Sequence, residues 1–158
     1  EGVFFSGAFC AIFWLKNNNK MPGLTLSNEF ISRDEGLHTE FGVVMYKKCK
    51  DKVSVDDVVD IFKEAVEIEK QFITDSIPCA LLGMNNTLMC QYIEYVADRL
   101  IVQLGYDKIY NVENPFSFME NISINNKTNF FEERVSEYNK AGVGSNREDM
   151  TFDLDADF

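Results

Sequence analysis

The residues with the clearest potential for chemistry are a glutamate and a histidine three positions apart, Glu35 and His38. On a helix, residues i and i+3 lie on the same face, so this carboxylate and this imidazole would converge on one point. His38 is the only histidine in the chain, and apolar residues flank the pair. A Glu-x-x-His pair also arises by chance, and the alternative is a surface glutamate beside a partly buried histidine.

A second carboxylate, Glu1, comes just before a largely apolar run from Val3 to Leu15. An unpaired charge in such surroundings is costly, and a cation is the obvious partner for it. Two carboxylates and one imidazole suit iron or manganese better than a thiolate zinc site. Ferritin-like di-iron proteins use two helices that each give Glu and two that each give Glu-x-x-His, so Glu1, Glu35 and His38 are half of that set. We expect the three to meet in one interior pocket.

Helical periodicity predicts an all-α scaffold for these residues. Residues 1–16 are expected to form a buried helix, which the polar and Pro-Gly sequence at 17–23 ends. A second helix should begin at Thr25 or Ser27, with Ser27 as a candidate N-cap, and run to Lys48. Along one side it would present a stripe of apolar residues, namely Phe30, Ile31, Leu37, Phe41, Val44 and Met45.

Two further helices are predicted downstream. A serine and two aspartates at 54–57 indicate a helix start, and Pro78 should end that helix. The fourth helix should run over 87–104 and stop at Gly105. The third helix carries a stripe at 3.6-residue spacing, consisting of Val58, Ile61, Phe62, Ala65, Ile68, Phe72 and Ile73.

The C-terminal end differs in character from the helical part. Residues 106–140 are mixed and should hold one or two short helices, whereas the polar sequence beyond them lacks periodicity and predicts a disordered, mobile tail. We therefore divide the chain into a helical domain, 1–140, and a tail, 141–158. The alternative for an acidic terminus is a solvated tail without a role. Acidic spacers between apolar anchors instead suit docking into a groove with a basic rim, and the anchors here are Phe152, Leu154 and Phe158.

Composition narrows the classes of partner. The formal net charge is -11, which disfavours nucleic acid and anionic membranes as direct partners. Four cysteines without a Cys-x-x-Cys pair indicate reduced thiols and a cytoplasmic protein. The apolar run 3–15 is shorter than the roughly 20 residues that span a bilayer. Because the chain opens with Glu1 inside an apolar pattern, we expect a further N-terminal portion.

Longer motifs follow one another in order along the chain: Glu1-Gly-Val-Phe-Phe-Ser-Gly, Phe13-Trp-Leu-Lys16, Met21-Pro-Gly-Leu-Thr25, Ile31-Ser-Arg-Asp-Glu-Gly-Leu-His38, Tyr92-Ile-Glu-Tyr-Val-Ala-Asp-Arg99 and Asn114-Pro-Phe-Ser-Phe-Met-Glu120. These motifs resemble the C-terminal half of the eukaryotic and viral small subunits of class I ribonucleotide reductase. The resemblance covers essentially the whole chain. It implies a ferritin-like di-iron helical bundle, of which this chain is a part.

The resemblance also implies roles for individual residues. Members of that family hold a di-iron centre and store a tyrosyl radical that is used to reduce ribonucleotides to deoxyribonucleotides. By matching motif positions, the iron ligands would be Glu1, Glu35 and His38, and the apolar wall around the radical would be Phe5, Phe9 and Ile31. Radical transfer would involve Asp34, beside the metal, and Tyr138, near the tail. The remaining three ligands, the radical tyrosine and the relay tryptophan belong to the family's N-terminal half, so the chain alone should bind iron weakly or not at all.

The resemblance implies two protein partners. The C-terminal heptapeptide of the family binds the large subunit, and members are usually homodimers. Two alternatives stay open beside the radical-generating subunit. One is an iron-storage or oxidase protein of ferritin type, which would not need a docking tail. The other is a catalytically incomplete paralogue or fragment that only binds the large subunit.

Overall fold

A computed structural model describes residues 1–76 and 83–119, and these residues are built from four α-helices. The prediction of an all-α fold is confirmed. None of the helices in these two ranges is both long and apolar enough to cross a membrane. Tyr138 and the anchors Phe152, Leu154 and Phe158 lie outside the described residues, as does the predicted boundary at 140. The helices are α1 (Ser6–Asn17), α2 (Pro22–Lys48), α3 (Val55–Ser76) and α4 (Asn86–Leu104).

Helix α1 begins later than predicted, because a turn precedes it. The backbone N–H of Ser6 donates to the Val3 carbonyl at 3.0 Å, and the Ser6 hydroxyl donates to the same oxygen at 2.6 Å. A serine that satisfies a nearby carbonyl in this way competes with helical hydrogen bonding. The prediction of a buried helix over residues 1–16 was wrong at its start as well, since Phe4 and Phe5 are nearly half exposed.

Helix α2 begins at Pro22, upstream of the predicted start, so Ser27 is not its N-cap. Proline is favoured in the first turn of a helix because its fixed φ is already helical and its missing N–H is not needed there. The buried residues of α2 are Thr25, Asn28 and Val43. The predicted apolar stripe lies mostly in solvent, because no element in the described part of the chain packs on it; its exposed members are Ile31, Leu37, Phe41, Val44 and Met45.

Helices α3 and α4 pack against each other and carry most of the core. The Ser54 hydroxyl accepts from the Asp57 N–H at 3.1 Å and so caps α3, at the helix start that the sequence predicted. Gly105 ends α4 with a φ of 99°, a left-handed conformation that glycine adopts without strain. Of the α3 stripe, Val58, Phe62 and Ile73 are buried, whereas its other flank faces solvent with Ile61, Ile68 and Phe72.

A buried carboxylate organises the loop that follows α4. Asp98 is only 1% exposed, and its Oδ1 accepts the backbone N–H groups of Ile109 at 2.8 Å and Tyr110 at 3.0 Å. Its Oδ2 accepts the N–H of Asn111 at 2.7 Å. Asn111 has a left-handed φ of 55°, a conformation that asparagine tolerates better than most residues. One side chain therefore satisfies three loop donors that would otherwise lack helix or sheet partners.

A pair of tyrosines connects the ends of α2 and α4. The Tyr46 hydroxyl accepts the Val53 N–H at 3.1 Å, and the Tyr106 hydroxyl donates to the Val53 carbonyl at 2.9 Å. The two tyrosine hydroxyls also form a hydrogen bond with each other. This hydrogen bond and the partial burial of the ring raise the pKa of Tyr106 to about 12.

Candidate metal centre

The three predicted ligands lie together in the structure. His38 Nδ1 is 3.1 Å from Glu35 Oε2 and 3.4 Å from Glu1 Oε2, and one ligand atom from each residue lies within 4.8 Å of the others. Glu35 and His38 share a face of α2, whereas Glu1 reaches them from the turn before α1. Among the described residues, this is the group of histidine, cysteine and acidic side chains arranged to hold a metal ion.

The spacing of these donors fits a first-row metal ion. Carboxylate oxygens and imidazole nitrogens bind such ions at about 2.0–2.2 Å, so two neighbouring ligands of an octahedral ion lie about 3 Å apart. The two distances from His38 Nδ1, 3.1 and 3.4 Å, are close to that value. The same nitrogen lies near both carboxylates, so the three ligand atoms form one cluster within 4.8 Å. The set of two carboxylates and one imidazole suits iron or manganese.

The expectation of an interior pocket was wrong for this chain. The side chains of His38 and Glu1 are 59% and 49% exposed, although Glu35 is 21% exposed. The cause is the same as for the apolar stripe of α2, whose residues flank the pair and are themselves uncovered. The ligands therefore lie at the surface of the described residues, beside an apolar face.

Close packing rather than helix geometry places Glu1. Its neighbour Gly2 lies so near α2 and α4 that an added Cβ would come within 2.7 Å of Leu100 and 3.1 Å of Thr39. Val3 is buried, and its carbonyl binds Ser6, which fixes the turn between Glu1 and α1. The site thus combines a local pair on one helix with a carboxylate held by tertiary contacts.

The residues assigned to the radical environment occupy nearby elements. The rings of Phe5 and Phe9 are neighbours, with centroids 5.8 Å apart. Ile31 is half exposed and lies one turn before Glu35 on α2. Asp34 is also exposed, and its Oδ1 lies 3.4 Å from an Arg33 guanidinium nitrogen. Asp34 points about 100° away from Glu35 around the helix, as expected for adjacent positions.

One functional candidate was missed in the sequence. Glu69 lies in the buried face of α3 with Val66 and Ile73, and it is 2% exposed. Burial raises the pKa of the Glu69 carboxyl, and the hydrogen bond that it accepts from the Gly7 N–H at 3.1 Å partly offsets this. The sequence did contain a signal for Glu69. This glutamate lies at helical spacing within an apolar stripe, where a charged residue is rare and needs an explanation.

A partly buried group of ion pairs lies at the neighbouring position of α3. Lys70 Nζ is 2.8 Å from a carboxylate oxygen of Glu94 and 2.9 Å from one of Glu67. Burial opposes the charged form of Lys70, but the hydrogen bonds that it donates to Glu94 and Glu67 outweigh this and raise the pKa of the lysine. This group holds α3 and α4 together and has no contact with the candidate ligands among the described residues.

Comparison with known proteins places this site in a family. The model of the family described as "Ribonucleotide reductase, small chain" matches residues 1–115. The chain is 61% identical over its whole length to ribonucleoside-diphosphate reductase subunit M2 of Danio rerio, of which it covers 41%. It is 60% identical to the ribonucleoside-diphosphate reductase small chains of Trypanosoma brucei brucei and of Yaba-like disease virus, covering 48% and 49% of them.

A solved structure gives the same result for the fold. The ribonucleotide reductase Rnr4 homodimer from Saccharomyces cerevisiae matches with a TM-score of 0.70 and 39% identity, over 88% of this chain and 41% of that one. The chain spans about half the length of the curated relatives it matches, with 41% and 49% as examples. The helical architecture is therefore that of a ferritin-like fold, and the three candidate ligands lie within the matched residues. The chain belongs to the ribonucleotide reductase small chain family.

Proposed function

We propose that the protein carrying this chain is the radical-generating small subunit of ribonucleoside-diphosphate reductase, an oxidoreductase that supplies deoxyribonucleotides. The observation that carries the proposal is that ligand atoms of Glu1, Glu35 and His38 lie within 4.8 Å of one another in a chain of this family. An iron-storage role is less well supported, because the relatives' names are those of a reductase. A tail with three apolar anchors also suits a subunit with a partner better than a store.

In this proposal the chain contributes half of the ligands of a di-iron centre. Glu35 and His38 would bind iron from one helix face, and Glu1 would add a carboxylate from the turn before α1. Bound iron would supply the oxidising chemistry that generates a tyrosyl radical. The apolar face of α2 beside the ligands would exclude water once it is covered, and water exclusion strengthens electrostatic interactions with the metal.

The remaining site residues would protect and transfer the radical. Phe5, Phe9 and Ile31 offer only C–H groups, so together they would keep proton donors away from a radical. Asp34 would accept a hydrogen bond from an imidazole or an indole on a neighbouring element and so orient it. Tyr138 would relay the radical toward the large subunit, because a tyrosine can lose an electron and a proton together.

The tail would dock onto the large subunit in the cytoplasm. Phe152, Leu154 and Phe158 would fill apolar pockets, and the aspartates between them would face a basic rim. The Rnr4 structure is a homodimer, and we extend that assembly to this protein. Phe158→Ala is expected to weaken binding to the large subunit by at least about 1–2 kcal/mol, as for other buried aromatic anchors. If a tail peptide with Phe158→Ala binds the large subunit with unchanged affinity in a titration, the anchor role of Phe158 is refuted.

The metal role can be tested in the full-length protein that carries these residues. Iron and oxygen are added to the apoprotein, bound iron is counted, and electron paramagnetic resonance is used to detect a tyrosyl radical. Glu35→Ala should lower bound iron and abolish the radical. Glu40→Ala is the matched control, since Glu40 is an exposed carboxylate on the same helix, outside the ligand group. Normal iron and radical in Glu35→Ala would refute the assignment, and a wild-type protein without a radical would favour the docking-only alternative.

A further inference from the structure

Glu69 makes an unusual connection between α3 and α1. Its carboxyl oxygen accepts the N–H of Gly7, which lies in the first turn of α1, 62 residues away in the sequence. The first N–H groups of a helix have no partner within the helix, and a side chain at the N-cap normally satisfies one of them. The N-cap of α1 is Phe5, which makes no such bond. Glu69 therefore caps α1 from another helix.

This cap lies at the end of a short chain of contacts that leads to Glu1. Gly7 follows Ser6, whose N–H and hydroxyl both bind the Val3 carbonyl. Val3 is buried, and Gly2 before it packs against α2 and α4. A shift of the first turn of α1 would move Ser6 and Val3 with it, and Glu1 would move relative to His38.

We propose that Glu69 is a positioning residue for the metal centre, where it holds the first turn of α1 in the place from which Glu1 meets Glu35 and His38. The proposal deepens the metal role proposed above and rests on it. An apolar residue of the same size at position 69 would leave the buried N–H of Gly7 without its acceptor, so the carboxyl group acts through the first turn of α1.

The test compares two substitutions of nearly equal size in the full-length protein. Glu69→Gln keeps an oxygen that can accept from Gly7, whereas Glu69→Leu removes it. Val66→Ala is the control, because Val66 is fully buried on the same face of α3 and its truncation lowers stability without removing a hydrogen-bond acceptor. Binding of Mn²⁺ is measured from the loss of the free-ion signal in electron paramagnetic resonance. Amide exchange at Gly7 is measured on the same samples.

Glu69→Leu is expected to weaken Mn²⁺ binding about 10-fold and to speed exchange at Gly7, as for other residues that support metal ligands indirectly. Glu69→Gln should stay within about twofold of wild type on the same scale, and Val66→Ala should keep wild-type affinity while it lowers stability. Ser6→Ala, which leaves Glu69 in place, should also weaken Mn²⁺ binding. It is used instead of Glu69→Leu if that variant does not fold.

Three results would overturn the inference: wild-type affinity in Glu69→Leu or its substitute, equal losses in Glu69→Gln and Glu69→Leu, or an equal loss in Val66→Ala. If the wild-type protein itself binds no Mn²⁺, the proposed metal role falls, and the inference with it. If the wild-type protein binds Mn²⁺ and Glu69→Leu binds it equally well, only the role of Glu69 is refuted.

Discussion

Replacing Asp98 by asparagine tests whether one buried carboxylate holds the loop after α4. The side chain accepts three backbone hydrogen bonds, two at Oδ1 and one at Oδ2, and it is only 1% exposed. An asparagine has one oxygen and one NH2 group. In one orientation the NH2 group faces the N–H of Asn111, and in the other it faces those of Ile109 and Tyr110. Either way, at least one buried donor loses its acceptor.

The expected loss follows from these contacts. A hydrogen bond to a charged group contributes about 1.5–3 kcal/mol, and an unsatisfied buried donor costs about 1–3 kcal/mol. We therefore expect Asp98→Asn to lower the free energy of unfolding by about 2–4 kcal/mol. The assay is urea unfolding of the full-length protein, with the midpoint compared at a constant m value. Amide exchange at 109–111 reports whether the loss is centred on the loop.

The matched control is Asp107→Asn. Asp107 is an exposed residue in the same loop and loses the same charge, so its substitution should change stability by no more than about 0.5 kcal/mol. If Asp98→Asn behaves like Asp107→Asn, the three hydrogen bonds contribute little, and the loop is held by the packing of its apolar residues instead.

Two further predictions concern titrating groups. Because the pKa of Glu69 is raised in the folded state, its contribution to stability is fully present below the unfolded value near 4.5 and is lost as the pH rises through the folded value. The unfolding free energy of wild type relative to Glu69→Gln should therefore fall as the pH rises from 4 toward 8; a difference that grows with pH would contradict the burial argument. Tyr46→Phe removes the hydrogen bond that raises the pKa of Tyr106 to about 12. The pKa of Tyr106, followed by ultraviolet or NMR titration, should fall toward 10, whereas an unchanged value would show that Tyr46 is not the cause.

Local signals in the sequence predicted the local features of this fold. Gly105 ends α4 because a left-handed residue is needed there, and Ser54 caps α3 because its hydroxyl can reach the Asp57 N–H. The pairing of Glu35 with His38 depends only on helix geometry, so the spacing was sufficient to predict it. Such features depend on residues a few positions apart.

Features that depend on distant residues could not be predicted in this way. Periodicity indicates that α2 has an apolar side, but it does not tell whether another element covers that side, and Phe41 on it is 67% exposed. The contacts of Glu69 with Gly7 and of Tyr46 with Tyr106 join residues 62 and 60 positions apart. A pattern of residues a few positions apart contains neither of these two pairings. The sequence did not predict where α1 starts. The Ser6 hydroxyl and N–H bind the buried Val3 carbonyl, and this turn replaces helical hydrogen bonds there.

The packing of Gly7 limits how this sequence can vary among species. Any side chain at position 7 would overlap Ile73 on α3, so a lineage could enlarge residue 7 only after residue 73 had become smaller. The order of the two replacements matters, because truncation at 73 leaves a cavity that the fold can hold, whereas a Cβ added at position 7 would come within 2.3 Å of Ile73 and one of the two would have to move. Positions 7 and 73 should therefore change as a pair, with the smaller residue at 73 arising first.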